Sequence, residues 1–216
     1  STNNRRAQRT EQNSSDTEAM PNVPIFYSIL QTPFTSSGEI DKTSLLRLLE
    51  HRIEAGADGL FLLGVASESM FLTWDEKLQI VELVTREIRG RLPVMVAAYE
   101  PATGPAVISA LRWQDMGATS IIALPPYACT PTNDAIIQHF AQMAAAISIP
   151  LIVQDEPNTS GVTMGASIIA RIGREVDNVG GFKLEGQPVT EKLTAVRNTL
   201  GENTQLFSAA GTFFVE

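Results

Sequence analysis

The sequence predicts an α/β fold, namely a (β/α)₈ TIM barrel, on three observations. Short apolar runs alternate with amphipathic helical stretches from residue 23 onward. Each run is nearly continuous in aliphatic residues, which is typical of parallel strands that are buried on both faces. The first run is not followed by the glycine fingerprint of a nucleotide-binding open sheet, so a barrel is favoured over a doubly wound sheet.

Seven strands are predicted, one for each apolar run: Val23–Leu30, Gly59–Leu63, Val94–Ala98, Ser120–Leu124, Leu151–Val153, Val179–Phe182 and Gln205–Ser208. Between them, apolar stripes recur at helical spacing, and Thr73 with Glu76 predicts a capping box at the start of the second helix. A closed barrel needs an eighth strand, so we expect residues 21–216 to be an incomplete barrel domain and the chain to be a fragment. Residues 1–20 lack any aliphatic run, which predicts a disordered tail.

Composition and charge exclude several classes of function. The chain has 16 Lys and Arg residues against 24 Asp and Glu residues, a net charge of −8, so we expect neither a nucleic-acid partner nor a membrane partner. Its single cysteine, Cys129, permits no internal disulfide and favours a reducing, cytoplasmic setting. His51 and His139 lie in helical patterns without a neighbouring ligand, and no nucleotide-binding motif occurs, so neither a metal nor a cofactor is expected.

Lys183 is the leading candidate for a catalytic residue. In this fold the chemistry lies at the carboxyl ends of the strands, and Lys183 directly follows the sixth predicted strand. Burial there disfavours the ammonium and favours the neutral amine, which is a nucleophile. The alternative is a lysine that reaches solvent or pairs with Glu185 or Asp155. The other lysines lie at predicted helix starts or on polar helix faces: Lys42, Lys77 and Lys192.

Three further strand ends carry candidate residues. The small-residue turn after strand two offers the backbone N–H groups of Ala66 and Ser67, with the Ser67 hydroxyl, to a substrate carboxylate. Strand five ends in Gln154, a catalytic candidate whose amide could bind a substrate hydroxyl, and in Asp155, a candidate substrate contact. Tyr127 is a candidate for proton handling. The structural alternatives are an ordinary turn, a hydrogen-bonded strand end and a packed aromatic ring.

The same strand-end rule selects three other residues. Ser208, after strand seven, is a candidate for substrate binding. Tyr99 and Glu185, after strands three and six, are also selected but receive no catalytic role.

Between Val23 and Glu216 the sequence resembles the dihydrodipicolinate synthase / N-acetylneuraminate lyase family of class I aldolases and dehydratases. The resemblance is carried by an ordered series of motifs: Thr32-Pro33-Phe34, Gly56-Ala57-Asp58-Gly59, Glu68-Ser69, Pro125-Pro126-Tyr127, Ser160-Gly161 and Gly181-Phe182-Lys183. The resemblance implies a TIM barrel, a Schiff base on Lys183, no cofactor, and a homo-oligomer, either a dimer or a tetramer.

Several positions depart from the family pattern. Strand five of the family begins its terminal motif with tyrosine and asparagine, and that tyrosine is the proton shuttle; here Gln154 and Asp155 stand in their place. The two threonines of the strand-two turn are Val65 and Ala66, and the second tyrosine of the proline-tyrosine-tyrosine stretch is Ala128. These departures argue against dihydrodipicolinate synthase activity. The strand-five motif of this chain, from Gln154-Asp155 to Ser160-Gly161, resembles that of a subgroup that includes 2-keto-3-deoxy sugar acid dehydratases.

Two functional hypotheses follow from these observations. The first is a lyase in which Lys183 forms a Schiff base with a small 2-oxo acid, here a 2-keto-3-deoxy sugar acid that is dehydrated or cleaved in a retro-aldol reaction. The second is a degenerate family member that binds a 2-oxo acid without turnover. The missing strand-five tyrosine favours the second hypothesis, and the retained Lys183 favours the first.

Overall fold

The computed structural model describes residues 26–209, so the predicted tail of residues 1–20 lies outside the described residues. The sheet contains seven parallel strands, hydrogen-bonded in chain order from β1 to β7. Its strands are β1 (Tyr27–Ile29), β2 (Gly59–Leu62), β3 (Val94–Ala97), β4 (Ser120–Ala123), β5 (Leu151–Asp155), β6 (Val179–Leu184) and β7 (Leu206–Phe207). Each overlaps one predicted apolar run.

Helices follow the strands on the outside of the sheet. They are α1 (Lys42–Glu54), α2 (Trp74–Ile88), α3 (Thr103–Asp115), α4 (Asn133–Ala146), the single turn α5 (Pro157–Ser160), α6 (Ala166–Glu175) and α7 (Val189–Leu200). The capping box predicted from Thr73 and Glu76 is present at the start of α2. Within residues 26–209, no helix combines the length and the apolar character that crossing a membrane requires.

The sheet curls until its two edge strands face each other. The rings of Tyr27 on β1 and Phe207 on β7 meet edge to face, with their centroids 6.0 Å apart. Alternate side chains of the strands therefore point into a common interior, and the others pack under the helices. This architecture confirms the predicted (β/α) barrel fold.

Strands β5 and β6 each run two residues beyond their predicted ends, to Asp155 and Leu184. Gln154 and Lys183 are direct partners in the parallel register between them. Both residues are therefore held by sheet backbone, which positions a side chain more rigidly than a loop does.

Candidate active site

Lys183 lies inside the barrel, where it lines a cavity of about 650 Å³. Inward-facing side chains of strands β2 to β5 line the same cavity, namely Phe61, Met95, Ile122 and Ile152. The Lys183 side chain is only 11% exposed. Its Nζ lies 5.2 Å from the centre of the Phe61 ring, a distance at which the ring face attracts a cation. The amine thus faces an apolar cavity large enough for a small organic substrate.

Glu185 is the counter-charge of Lys183. Its Oε2 lies 3.0 Å from Lys183 Nζ, and its side chain is 17% exposed. Residues i and i+2 of a strand share one face, so the carboxylate and the amine are held on the same side of the β6 backbone. Within residues 26–209, Glu185 is the carboxylate that contacts Lys183, and it can take a proton from the ammonium or return one.

Gln154 extends this pair across the sheet. Its side chain is completely buried, and its Nε2 donates a hydrogen bond of 2.6 Å to Glu185 Oε2. At the other end of the amide, Oε1 accepts a hydrogen bond from the phenol of Tyr99. Four side chains therefore form one connected line from β3 to β6: Tyr99, Gln154, Glu185 and Lys183.

Asp155 points to the opposite side of β5. Its Oδ2 lies 2.5 Å from the Nζ of Lys192 on α7, and its Oδ1 accepts a hydrogen bond from the Met164 N–H. The Asp155 side chain is 0% exposed and that of Lys192 is 6% exposed. Lys192 lies at the start of a helix, as predicted, but it is buried there and does not face solvent. The carboxylate compensates the desolvated ammonium. Of the predicted substrate contacts, Asp155 is the one that this geometry supports least.

Gly186 makes room for this buried ion pair. A Cβ at that position would lie 2.5 Å from Asp155 Oδ2 and 2.7 Å from Lys192 Nζ. The residue also bonds its backbone N–H to the Asp155 carbonyl, at 3.1 Å. The ends of β5 and β6 and the start of α7 are thereby tied together directly behind Gln154 and Glu185.

The turn after β2 is fastened to the end of β1. The buried Ser67 hydroxyl donates to the Leu30 carbonyl at 2.7 Å, and Thr32 Oγ1 donates to the Ser67 carbonyl at 2.7 Å. The Ser67 N–H donates to the Gly64 carbonyl at 3.0 Å. Both predicted donors of Ser67 are thus used within the protein, whereas Ala66 lies exposed. The contact of Ala66 and Ser67 with a carboxylate stays a prediction, and Ala66 is the better placed of the two.

This turn approaches Lys183 through the ring of Phe61. A Cβ on Gly64 would lie 2.9 Å from that ring, so the absence of a side chain lets the turn pack directly on it. The non-glycine residues Leu63 and Glu68, at φ 57° and 60°, bracket the turn in the left-handed region. Such backbone conformations cost about 1–3 kcal/mol each and concentrate at functional sites. The turn therefore has the features of a binding loop.

The remaining predicted site residues, Ser208 and Tyr127, lie in different surroundings. Ser208 lines the same cavity as Lys183. Tyr127 is half-buried, and its hydroxyl donates to the Tyr99 carbonyl at 3.2 Å. Burial and the nearby Glu100 carboxylate raise the pKa of Tyr127 above its usual value, which keeps the phenol protonated. Its role in proton transfer stays a prediction, and the observed partner of its hydroxyl is the Tyr99 backbone carbonyl.

Glu185 and Tyr99 are candidate site residues to which the sequence assigns no catalytic role. The signal for Glu185 was its position two residues after Lys183, because alternate residues of a strand share a face. Tyr99 could be selected only as a strand end, since its contact with Gln154 spans 55 residues of sequence. No such long-range pairing can be read from one sequence.

The arrangement places a buried primary amine, a carboxylate partner and an apolar cavity at one point. An amine in this setting can add to a carbonyl, and a carboxylate at 3.0 Å can transfer the protons that addition and elimination require. Within residues 26–209, no group of three or more His, Cys, Asp and Glu side chains is placed to hold a metal ion.

Two relatives of known sequence are similar to most of the chain. It is 33% identical over 179 residues to 4-hydroxy-tetrahydrodipicolinate synthase of Chlorobium phaeobacteroides, covering 83% of this chain and 59% of the relative. It is 35% identical over 170 residues to L-2-keto-3-deoxyarabonate dehydratase of Azospirillum brasilense, covering 77% and 55% respectively. The chain therefore spans less than two thirds of the length of these curated relatives.

Solved structures agree with the fold. Dihydrodipicolinate synthase from Aquifex aeolicus superposes with a TM-score of 0.78 at 27% identity, covering 86% of this chain and 63% of that one. The synthase from Thermotoga maritima gives a TM-score of 0.79 at 25% identity, with coverages of 86% and 64%. The model of the Dihydrodipicolinate synthetase family matches residues 25–215. The chain belongs to the dihydrodipicolinate synthetase family.

Proposed function

We propose that the protein is a lyase that forms a Schiff base between Lys183 and a small 2-oxo acid, and that it dehydrates a 2-keto-3-deoxy sugar acid. The observation that carries this proposal is the buried Lys183 amine in the cavity, with Glu185 Oε2 at 3.0 Å. The similarity to a relative named L-2-keto-3-deoxyarabonate dehydratase supports this substrate class. No metal or other cofactor is needed for this chemistry.

The reaction begins at the C2 carbonyl of the substrate. Glu185 accepts a proton from the Lys183 ammonium, and the neutral amine adds to C2 to give a carbinolamine. Loss of water gives an iminium ion, which acidifies the C3–H bond. Removal of the C3 proton by a base then gives an enamine.

Elimination and release complete the cycle. The nitrogen lone pair of the enamine re-forms the iminium, and the C2=C3 electrons form a C3=C4 double bond as the C4–O bond breaks. The C4 hydroxyl takes up the proton that Glu185 removed from C3 and leaves as water. Hydrolysis of the resulting imine releases the product and restores the amine. Retro-aldol cleavage would instead remove the proton of the C4 hydroxyl and break the C3–C4 bond of the same iminium, which releases an aldehyde and leaves an enamine on Lys183. Protonation of that enamine at C3 and hydrolysis would then release pyruvate.

Glu185 is the group that we assign to the C3 proton. The family's shuttle position in strand five holds Gln154, and an amide does not exchange protons in this range of acidity. Glu185 directly follows the neighbouring strand β6, contacts both Gln154 and Lys183, and is a carboxylate. A positioned acid–base group contributes about 10²–10⁴ in rate, so its removal is measurable.

The substrate carboxylate is assigned to the turn that contains Ala66 and Ser67, and Ser208 is assigned to a hydroxyl group of the sugar acid. The turn packs through Gly64 on the ring that faces Lys183, and Ser208 lines the cavity. Backbone N–H groups at the start of such a turn are suited to an anion.

Turnover tests the proposal. The purified protein is incubated with pyruvate and with a panel of 2-keto-3-deoxy sugar acids, while dehydrated product and free pyruvate are measured separately. We expect dehydration of at least one sugar acid. Release of pyruvate would reassign the protein as an aldolase, and binding of every candidate without turnover would support the degenerate alternative that the Gln154 position favours.

We also propose a homo-oligomer, a dimer or a tetramer, in a cytoplasmic setting. Large apolar side chains are exposed after β2 and on α3, with Phe71 85% exposed and Ile108 64% exposed. Exposed apolar groups of this size are typical of association surfaces. Cys129 is a free, exposed thiol, which suits a reducing compartment. Light scattering of the purified protein measures the oligomeric state, and a monomer at working concentration would contradict the proposed homo-oligomer.

A further inference from the structure

The phenol of Tyr99 lies at the far end of the line that leads to Lys183. Tyr99 follows β3, is only 4% exposed, and donates its hydrogen bond to Gln154 Oε1. Burial, together with the negative charges of Glu185 and Glu156, holds the pKa of Tyr99 well above its ordinary value. The phenol therefore keeps its proton and acts as a permanent hydrogen-bond donor.

A permanent donor fixes the orientation of the Gln154 amide. The oxygen and nitrogen ends of an amide are nearly equal in shape, so the orientation is set by the partners at each end. Here an O–H donor meets Oε1, and the Glu185 carboxylate meets Nε2 at 2.6 Å. The flipped amide would place its carbonyl against the carboxylate, which is repulsive, and would take away from the phenol O–H the acceptor to which it donates.

The orientation of Gln154 in turn controls the position of Glu185. Glu185 Oε2 accepts hydrogen bonds from Gln154 Nε2 and from Lys183 Nζ, so the amide holds the carboxylate within reach of the amine. Gln154 is completely buried, and its strand pairs in register with that of Lys183. Burial and strand pairing therefore fix the position of the Gln154 amide that bonds the Glu185 carboxylate.

We propose that Tyr99 is a positioning residue for the lyase reaction: its phenol orients the Gln154 amide, which holds the Glu185 carboxylate against Lys183. This inference rests on the proposed function. Tyr99 exchanges no proton with the substrate, and it acts only through Gln154. The phenol that this chain lacks on strand five is thereby supplied from β3, in a different role.

A double-mutant cycle tests this connection. Tyr99→Phe removes only the hydroxyl, and Gln154→Met interrupts the same line at its middle. We expect each single variant to lower kcat about tenfold with less than a threefold change in KM, because the lost contact serves proton transfer rather than substrate binding. The double variant should match the single variants, since Tyr99 acts through Gln154. Additive losses in the double variant would overturn the proposal.

Controls separate this role from a general effect on folding. Thr85→Val removes a partly buried hydroxyl that donates to the Val81 carbonyl within α2 at 2.7 Å and makes no contact with the network, so it should keep the kcat of the unchanged protein. Thermal unfolding confirms that each variant is folded at the assay temperature. If Tyr99→Phe fails this check, Gln154→Met alone decides, and an unchanged kcat in that variant would overturn the proposal.

The two proposals fail in distinguishable ways. Absence of turnover in the unchanged protein would remove the proposed function and the role of Tyr99 with it. Normal turnover in the unchanged protein together with unaltered kcat in Tyr99→Phe would overturn only the role of Tyr99.

Discussion

The ion pair between Asp155 and Lys192 offers a sharp test of how the site is supported. Lys192→Met keeps the length and apolar stem of the side chain but removes its charge. Asp155 would then be left with a hydrogen bond from the Met164 N–H as its described support, at 3.2 Å. We expect a large loss of stability, because an uncompensated carboxylate would remain in a fully buried position.

The magnitude follows from burial. The two atoms lie 2.5 Å apart, and the side chains are 0% and 6% exposed, so solvent screens the pair very little. Removal of one partner from a buried pair costs about 3–5 kcal/mol. In a protein of this size, each kcal/mol lowers Tm by about 2–4 °C, so we expect a fall of roughly 6–20 °C.

Urea and thermal unfolding of four proteins measure this effect: the unchanged chain, Lys192→Met, the double variant Asp155→Asn with Lys192→Met, and Lys42→Met. The double variant removes both charges and keeps an acceptor for the Met164 N–H, so it should recover much of the lost stability. Lys42 is exposed at the start of α1, and its variant should stay within about 0.5 kcal/mol of the unchanged chain. A loss below about 1 kcal/mol in Lys192→Met, or a double variant no more stable than the single one, would refute the reasoning.

Three further predictions concern the carboxylate, a histidine and a glycine. Glu185→Gln should lower kcat by about 10²–10⁴ because it removes the acid–base group; retention of full turnover would show that another group moves the proton. His139 is buried, which lowers its pKa from 6.5 to about 4. Between these two pH values the histidine is protonated in the unfolded chain and neutral in the folded chain, so acid favours unfolding. Stability should be complete above pH 6.5 and fall toward pH 4 by roughly 3 kcal/mol, as measured by urea unfolding; His139→Leu should lack this component, and parallel pH curves would contradict it. Gly64→Ala should slow formation of the Lys183 adduct because its Cβ, at 2.9 Å, displaces the Phe61 ring, and an unchanged rate would argue against that contact.

The strands were predictable because their interior is uniformly apolar. Val94–Ala97 and Ser120–Ala123 are buried at every position, and such runs stand out in the sequence. The predicted ends of β5 and β6 fall two residues short of the observed ends because Gln154, Asp155 and Lys183 interrupt the apolar pattern while the backbone ladder continues. Polarity at these positions reflects the site and not the end of the strand.

The contacts within the site were less predictable than the positions of its residues. Lys183 could be selected from its place at a strand end, whereas the burial of Lys192 could not, because its partner Asp155 is 37 residues away. The connection from Tyr99 to Gln154 depends on which face each strand turns inward and on the curl of the sheet. These are properties of the packed barrel rather than of local sequence.

The central claim, a Schiff base on Lys183, is tested most directly by reductive trapping. The purified protein is incubated with pyruvate and with the sugar acid panel, borohydride is added, and the modified peptide is identified by mass spectrometry, with Lys183→Arg as the matched control. We predict an adduct on Lys183 that is absent from the control, while Lys42, Lys77 and Lys192 stay unmodified. Absence of any adduct on Lys183 with every 2-oxo acid tested would contradict the account.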